Sequence, residues 1–317
     1  MTDRLLLRRP HRARFLVPLA AFLVVAAACG KSSPSGSGGT PSSSTGATGV
    51  TKDATIAAEV PSDIVAKGTL TVATDASYPP MELFAADNKT VIGADVDIGH
   101  AVATVLGLKF NFVEASFETI IPGLQTAKYD LGWSSFFDTK EREKVVDMID
   151  YFQAGSAIFV SSSDTKNYTS LDQFCGQTLA AESSTTELAD AQNASKKCQQ
   201  EGKQPIKALS FTDQTAVNLA VTSGRAAAGL ADTEVAQYQT RLTNGQLRFA
   251  GNYAAAVLYG VAVPRPAGAA PGSGPMTKPV LDALKKLYDT GAFLQILQKY
   301  GIQIGKLSAP SVNAATS

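Results

Sequence analysis

The sequence predicts an α/β chain, and three observations carry that expectation. Short alternating apolar segments such as Gly68–Thr74 (GTLTVAT) read as strands, and helical patterns such as Ile98, Val102 and Val105 are interleaved with them. The strand-like segments end in loops rich in Asp, Ser, Tyr and Pro, the places where α/β proteins put ligand contacts. The chain has 317 residues, 44% hydrophobic and 18% charged, which is room for two lobes of ordinary globular composition.

The N-terminus reads as a targeting segment. Arg4, Arg8, Arg9, Arg12 and Arg14 precede Phe15–Ala28, an apolar run of 14 residues. That run is short for a membrane span and suits the core of a signal peptide, expected over 1–28. Ala26-Ala27-Ala28-Cys29 resembles a lipobox, so Cys29 is expected to carry lipid after cleavage. Arg8-Arg9 leaves Sec and twin-arginine export both open. Ser32–Thr51 is almost wholly Ser, Gly, Thr, Pro and Ala without charge. It cannot bury enough apolar surface to offset its chain entropy, so 29–61 is expected to be a flexible tether. Lipid and tether place the folded part outside the cell membrane and anchored to it. Removing 1–28 takes five of 28 basic and one of 28 acidic residues, leaving 23 and 27, a net of −4. Such a charge gives no footprint for nucleic acid.

The folded part is expected from about Pro61. After the first strand, Asp75-Ala76-Ser77-Tyr78-Pro79-Pro80-Met81-Glu82 reads as a fixed loop, because paired prolines stop helix and strand pairing. Asp75 and Tyr78 are cleft candidates, with turn capping and half-burial as their alternatives. Val91–Ile98 opens a helix to about Leu106, Lys109–Val113 is a strand, and Phe117–Ala127 is a helix. Tyr129–Trp133 reads as a strand end, and Ser156–Val160 as the strand that begins the second lobe. Ser170–Ala181 gives a short helix, a turn and a strand. Glu182-Ser183-Ser184-Thr185-Thr186-Glu187 then caps a helix whose free N–H groups favour an anion. Cys175 and Cys198 are expected to form a disulfide, as an even pair in an exported protein. Phe211–Arg225 is a helix stopped at Gly224, and Ala226–Ala231 is a strand ending at Asp232, which also suits a helix N-cap. Leu258–Val263 returns as a strand. Gly268–Pro275 lacks the Gly-Lys-Ser/Thr of a phosphate loop. Lys278–Tyr300 is an amphipathic helix pair broken at Thr290-Gly291. His100 is the one histidine after the targeting segment. No metal, cofactor or catalytic residue is expected.

The stretch Trp133-Ser134-Ser135-Phe136-Phe137-Asp138-Thr139-Lys140-Glu141-Arg142 gathers the means to hold a carboxylate. A guanidinium matches a carboxylate in bidentate fashion, and two strand-end serines add donors. Read alone, it is equally a surface turn with Arg142 paired to Glu141 or Glu143. It resembles the S-S-aromatic/Leu-Ser/Thr-x-T-x-x-R pattern of the bacterial solute-binding proteins of family 3. Asp75–Glu82 resembles that family's D-x-x-Y-x-P-F/M-E, and Gly93–Ile98 its G-F/Y-D-V-D-I/L. Ala94, Phe137 and Ser183 depart from the family's aromatic, hydroxyl and glycine.

The resemblance spans about Ser62 to Leu307 and implies a periplasmic-binding-protein type II fold. Lobe 1 would be 62–152 plus 254–307 and lobe 2 would be 153–253, with 308–317 a disordered tail. It implies a monomeric receptor that delivers an amino acid to an ABC permease and its ATPase. Arg142, Ser134 and Ser135 would hold the α-carboxylate, with help from the Thr185 N–H. Asp232 would hold the ammonium, and Asp75, Tyr78 and Phe136 would meet the side chain. A polar or cationic L-amino acid such as glutamine, arginine or lysine fits first. An aromatic amino acid or small quaternary amine comes second, and an acidic one last, because Asp75 repels a second carboxylate. Two rival readings are a cyclic-acid dehydratase of the same fold, with Glu182 or Glu187 as general acid, and a ligand-sensing subunit of a signalling system. No nucleophile–base pair supports the enzyme.

Overall fold

The computed structural model describes residues 49–316. The expected signal peptide, Cys29 and most of the tether lie outside the described residues. In chain order come α1 (Ala54–Ala57), α2 (Ser62–Lys67) and β1 (Thr69–Thr74). Short strands β2 (Ser77–Tyr78), β3 (Glu82–Phe84) and β4 (Val91–Ile92) follow, then α3 (Ala94–Leu106), β5 (Lys109–Glu114) and α4 (Phe117–Gln125). Next are β6 (Leu131–Phe137), α5 (Lys140–Glu143), β7 (Val146–Ala154), β8 (Ser156–Ser161), β9 (Thr178–Glu182) and α6 (Thr186–Gln200). Then come β10 (Lys207–Phe211), α7 (Gln214–Thr222), β11 (Ala228–Asp232), α8 (Thr233–Leu242) and β12 (Leu247–Asn252). The chain closes with β13 (Val257–Pro264), α9 (Thr277–Asp289), α10 (Ala292–Tyr300) and β14 (Lys306–Val312).

The strands make a six-stranded sheet, β14-β7-β13-β6-β1-β5, and a five-stranded sheet, β10-β9-β11-β8-β12. Strands β1 and β9 each lie between two parallel neighbours, β5 and β6 in one sheet, β10 and β11 in the other. The chain crosses between the sheets twice, at Gly155 and again between β12 and β13. Strands covered on both faces are mostly apolar, and β6, β7 and β11 are buried almost without interruption. Their polar residues Ser134, Ser135, Asp147 and Asp150 are each hydrogen-bonded. On one face of the first sheet Trp133, Tyr151, Phe152 and Tyr259 pack with Ile98 of α3, Leu284 of α9 and Phe293 of α10. On the other, Phe136 and Met148 pack with Ile120 and Leu124 of α4. In the second sheet Phe174, Leu179 and Leu230 pack with Cys198 of α6. Cys175 and Cys198 are joined as a disulfide, Cα–Cα 5.7 Å.

Gly93 sits at φ 137°, and a Cβ there would come within 2.1 Å of the Met81 carbonyl oxygen. Glycine is therefore needed for α3 to start against the Asp75–Glu82 loop. No helix among the described residues is long and apolar enough to cross a membrane.

Two boundaries differ from the sequence reading. The tether expected to run to residue 61 is already structured from Asp53, which caps α1 through bonds from the Thr55 and Ile56 N–H groups, 3.0 and 3.3 Å. The Asp53 N–H bonds the Val105 carbonyl at 3.0 Å, and Val60 is buried in the core. A short apolar face (Ile56, Val60) at the end of a polar stretch is enough to dock. The tail expected to be disordered over 308–317 instead contributes β14, antiparallel to β7 with Ser311 opposite Asp150. Unpaired backbone groups of β7 recruit that strand, and the Ser311 hydroxyl donates to buried Asp150 at 2.7 Å.

Candidate functional site

The C-terminal ends of β1, β6, β9 and β11 converge between the two sheets, around a cavity lined from both. From the first sheet come Asp75 just after β1, Tyr78, Glu82, Phe117 at the start of α4, Ser134, Ser135 and Phe137 of β6, and Arg142 of α5. From the second come Glu182 ending β9, Thr185, Thr186 and Glu187 opening α6, and Asp232 ending β11.

Hydrogen bonds cross the gap, so the cleft is shut. The Asp232 N–H donates to the Tyr78 hydroxyl at 2.9 Å, and the Gln214 N–H to the Ser77 hydroxyl at 2.9 Å. The Ser183 hydroxyl donates to Glu118 at 2.5 Å, and Arg142 Nη2 to the Ser184 carbonyl at 3.2 Å.

Arg142 is the cation of the cavity. Thr139 caps its short helix, and Nη1 donates to the Phe137 carbonyl at 2.7 Å. Its guanidinium lies over Phe117 and Phe136, 5.3 and 5.2 Å from their centroids, and those rings stack on each other at 4.5 Å. None of the ion pairs among the described residues involves Arg142. Burial lowers it to about 10, against the opposing pull of Glu187, Asp232 and Asp138. It therefore stays charged at neutral pH, with a carboxylate the natural missing partner.

The acids outnumber it. Asp75 accepts from the Ser77 and Phe117 N–H groups at 3.1 and 3.0 Å, yet burial still raises its carboxyl above the usual range. Asp232 accepts from the Tyr259 hydroxyl and is raised by burial and then by the charge of Glu187. Asp232 opens α8 without a side-chain capping bond and lines the cavity. Glu187 accepts from the Ser156 hydroxyl at 2.6 Å. Glu182 is 3% exposed, one of its oxygens has no partner, and burial followed by Asp75 pushes it well up.

Seven of the eight residues expected at the ligand line the cavity: Asp75, Tyr78, Ser134, Ser135, Arg142, Thr185 and Asp232. Phe136 does not. Side chains alternate along a strand, and Phe136 falls on the α4 face of β6, where it backs Arg142 while Phe137 and Phe117 line the cavity. The serine hydroxyls also differ from expectation. Ser134 donates to Glu82 at 3.0 Å and accepts from the Asp75 N–H at 2.9 Å. Ser135 donates to Asp95 at 3.0 Å, and Tyr151 donates to the same carboxylate at 2.7 Å. Burial raises Asp95 to about 6, and burial with the neighbouring Asp95 charge raises Glu82 well above its usual range. Glu82, Phe117 and Thr186 were not read as ligand contacts from sequence, Phe137 was weighed between an aromatic wall and the core, and Glu182 and Glu187 were considered only as general acids.

No group of His, Cys, Asp and Glu among the described residues is arranged to hold a metal ion. The cavity sets one guanidinium against five carboxyl groups and the rings of Tyr78, Phe117 and Phe137.

Residues 70–303 match the family model described as bacterial extracellular solute-binding proteins, family 3. The chain is 31% identical over 259 residues to the arginine-binding protein of Corynebacterium glutamicum, covering 81% of this chain and 82% of that protein. An ancestral arginine-binding protein bound to arginine has a TM-score of 0.65 and 28% identity, over 74% of this chain and 98% of its own. An ancestral amino-acid-binding protein, a precursor of cyclohexadienyl dehydratase, has a TM-score of 0.65 and 27% identity, over 75% and 97%. With residues 70–303 matched and the cavity placed between two α/β lobes, the chain belongs to the bacterial extracellular solute-binding proteins of family 3 and has their type II periplasmic-binding fold.

Proposed function

We propose that this chain captures a cationic L-amino acid, arginine first, and hands it to an ABC permease driven by its ATPase. One observation carries the ligand class: five carboxylic acids line the cavity against a single guanidinium. Arg142 takes the α-carboxylate, helped by the free N–H groups of the first turn of α6. Asp232 takes the α-ammonium, and the acids near Asp75 take a positive side chain. A zwitterion with one further positive charge supplies one carboxylate and two cations, which matches that excess of acids over the single guanidinium. Contacts to both lobes favour the closed state, which couples capture to shape change. The similarity to proteins named for arginine binding supports the same ligand.

The protein acts by binding alone and as a monomer in this reading. Incubation with a prephenate-type cyclic acid should yield no product; turnover would establish the dehydratase instead. The N-terminal sequence supports a signal peptide and a lipid on Cys29, which would hold the receptor near its permease. Cys29→Ala should release the protein from the membrane fraction. The ligand is tested by thermal shift with the twenty L-amino acids and simple betaines. Arginine should give the largest stabilisation, with lysine next. A clear preference for glutamate or aspartate overturns the assignment.

A further inference from the structure

The second lobe brings an acid to the ligand end of the cavity that the family pattern does not account for. Glu182 ends β9, and Asp75 follows β1; each strand lies next to the edge of its sheet between two parallel neighbours. Both residues line the cavity and both are nearly inaccessible, 3% and 2% exposed. Asp75 is spoken for by two backbone N–H donors, whereas one Glu182 oxygen has none. A buried carboxylate without a donor is costly, and a second carboxylate facing it makes it costlier.

We propose that Glu182 is a specificity-determining residue: with Asp75 it forms a two-carboxylate clamp, one arm from each lobe, that takes the distal cation of the ligand and disfavours neutral side chains. This rests on the amino-acid reading above and adds a second arm to it. Closing the empty cleft presses the two carboxylates together, so closure without a cation requires taking up a proton. The charges around the pair do not relieve this. Asp213 at the start of α7 and Glu187 of α6 face Glu182, and Glu114 of β5 faces Asp75. Arg142 is engaged by its bonds to the Phe137 and Ser184 carbonyls, and the charges that act on it are Glu187, Asp232 and Asp138 rather than this pair. Burial and Asp75 both push Glu182 upward, in the same sense. A guanidinium or ammonium between the arms replaces the proton.

The test is calorimetric titration of wild type and Glu182→Gln with L-arginine and L-glutamine. Arginine affinity should fall roughly tenfold to a hundredfold in the variant, while glutamine affinity holds or rises. An unchanged arginine-to-glutamine ratio overturns the clamp. Wild type supplies a second measurement that needs no variant. From about pH 8 to about pH 5 its arginine affinity should fall more steeply than its glutamine affinity, because protonation disables the arms. Parallel profiles overturn the clamp as well. Wild type that binds neither arginine nor lysine overturns the ligand reading on which the clamp rests, an outcome distinct from an unchanged ratio.

Discussion

The two lobes share a plan and differ in what holds them together. In each, a strand between two parallel neighbours delivers an acid to the cleft, Asp75 from one and Glu182 from the other. The first sheet has six strands and a core of large aromatics, Trp133, Tyr151, Phe152 and Tyr259. Its edge is completed by β14, and Asp147 ties Arg265, the Gly272 and Gly274 N–H groups and Thr277 together. The second sheet has five strands, with a disulfide between the segment before β9 and the end of α6. A smaller core buries a smaller fraction of its surface and gains more from a covalent constraint on the unfolded chain. The lobes also divide the chemistry. The first supplies the guanidinium, and the second supplies a helix N-terminus and Asp232.

That division predicts the largest effects. Arg142→Ala and Asp232→Ala each remove one partner of a desolvated charge contact, from opposite lobes, which typically costs about 2–5 kcal/mol. Each should weaken ligand binding roughly a hundredfold or more by calorimetry. Near-native affinity in either variant would remove that lobe from the zwitterion contact.

Next comes the staple. With its cysteines 23 positions apart in sequence, the disulfide should contribute about 3 kcal/mol on the chain-entropy account. Cys175→Ser should lose that in denaturant unfolding, and hydrogen exchange should quicken across β8–β12 with little change in β1, β6 and β7. Uniform acceleration in both lobes would show that the staple does not act locally.

A smaller effect is expected in the first lobe. Ser311→Ala removes the donor to buried Asp150 and should cost about 1 kcal/mol, with faster exchange confined to β7 and β14. An unchanged β7 would mean that β14 lies on the sheet without supporting it.

The last prediction concerns a slope. Asp138 is raised to about 8 by burial, then by Asp150 and Glu143. The folded chain therefore binds that proton more tightly than the unfolded chain. Its contribution is full below the ordinary carboxylate range and is lost as pH rises through about 8. Asp138→Asn should flatten the alkaline fall in melting temperature. An unchanged fall would assign it to other groups.

Much of the site was legible because it sits at strand ends. Asp75 follows β1, Arg142 sits in the short helix after β6, Thr185 caps α6 and Asp232 ends β11, and local pattern marks such positions. Ser134 and Ser135, read as strand-end residues, lie within β6. Phe136 was misplaced because two adjacent aromatics present the same composition on either face. Only the packing of β6 against α3 and α4 selects Phe137 for the cavity. The serine hydroxyls were assigned to ligand because their partners, Glu82 and Asp95, lie far along the chain. Burial then made those acids the nearer acceptors.

The strand and helix signals at β1, α3, β5, α4, β8, β9, α7, β11 and β13 and the pairing of Cys175 with Cys198 were legible in the sequence, whereas β7, β10, β12 and β14 were not. Periodicity, turn residues and cysteine count are local properties of a chain. Tertiary structure decided which groups face one another: Glu182 toward Asp75, β14 along β7, α1 against α3, and Phe117 beneath Arg142. Those relations depend on burial and charge between residues far apart in sequence, and such terms exist only once the two sheets are assembled and the cleft between them has shut.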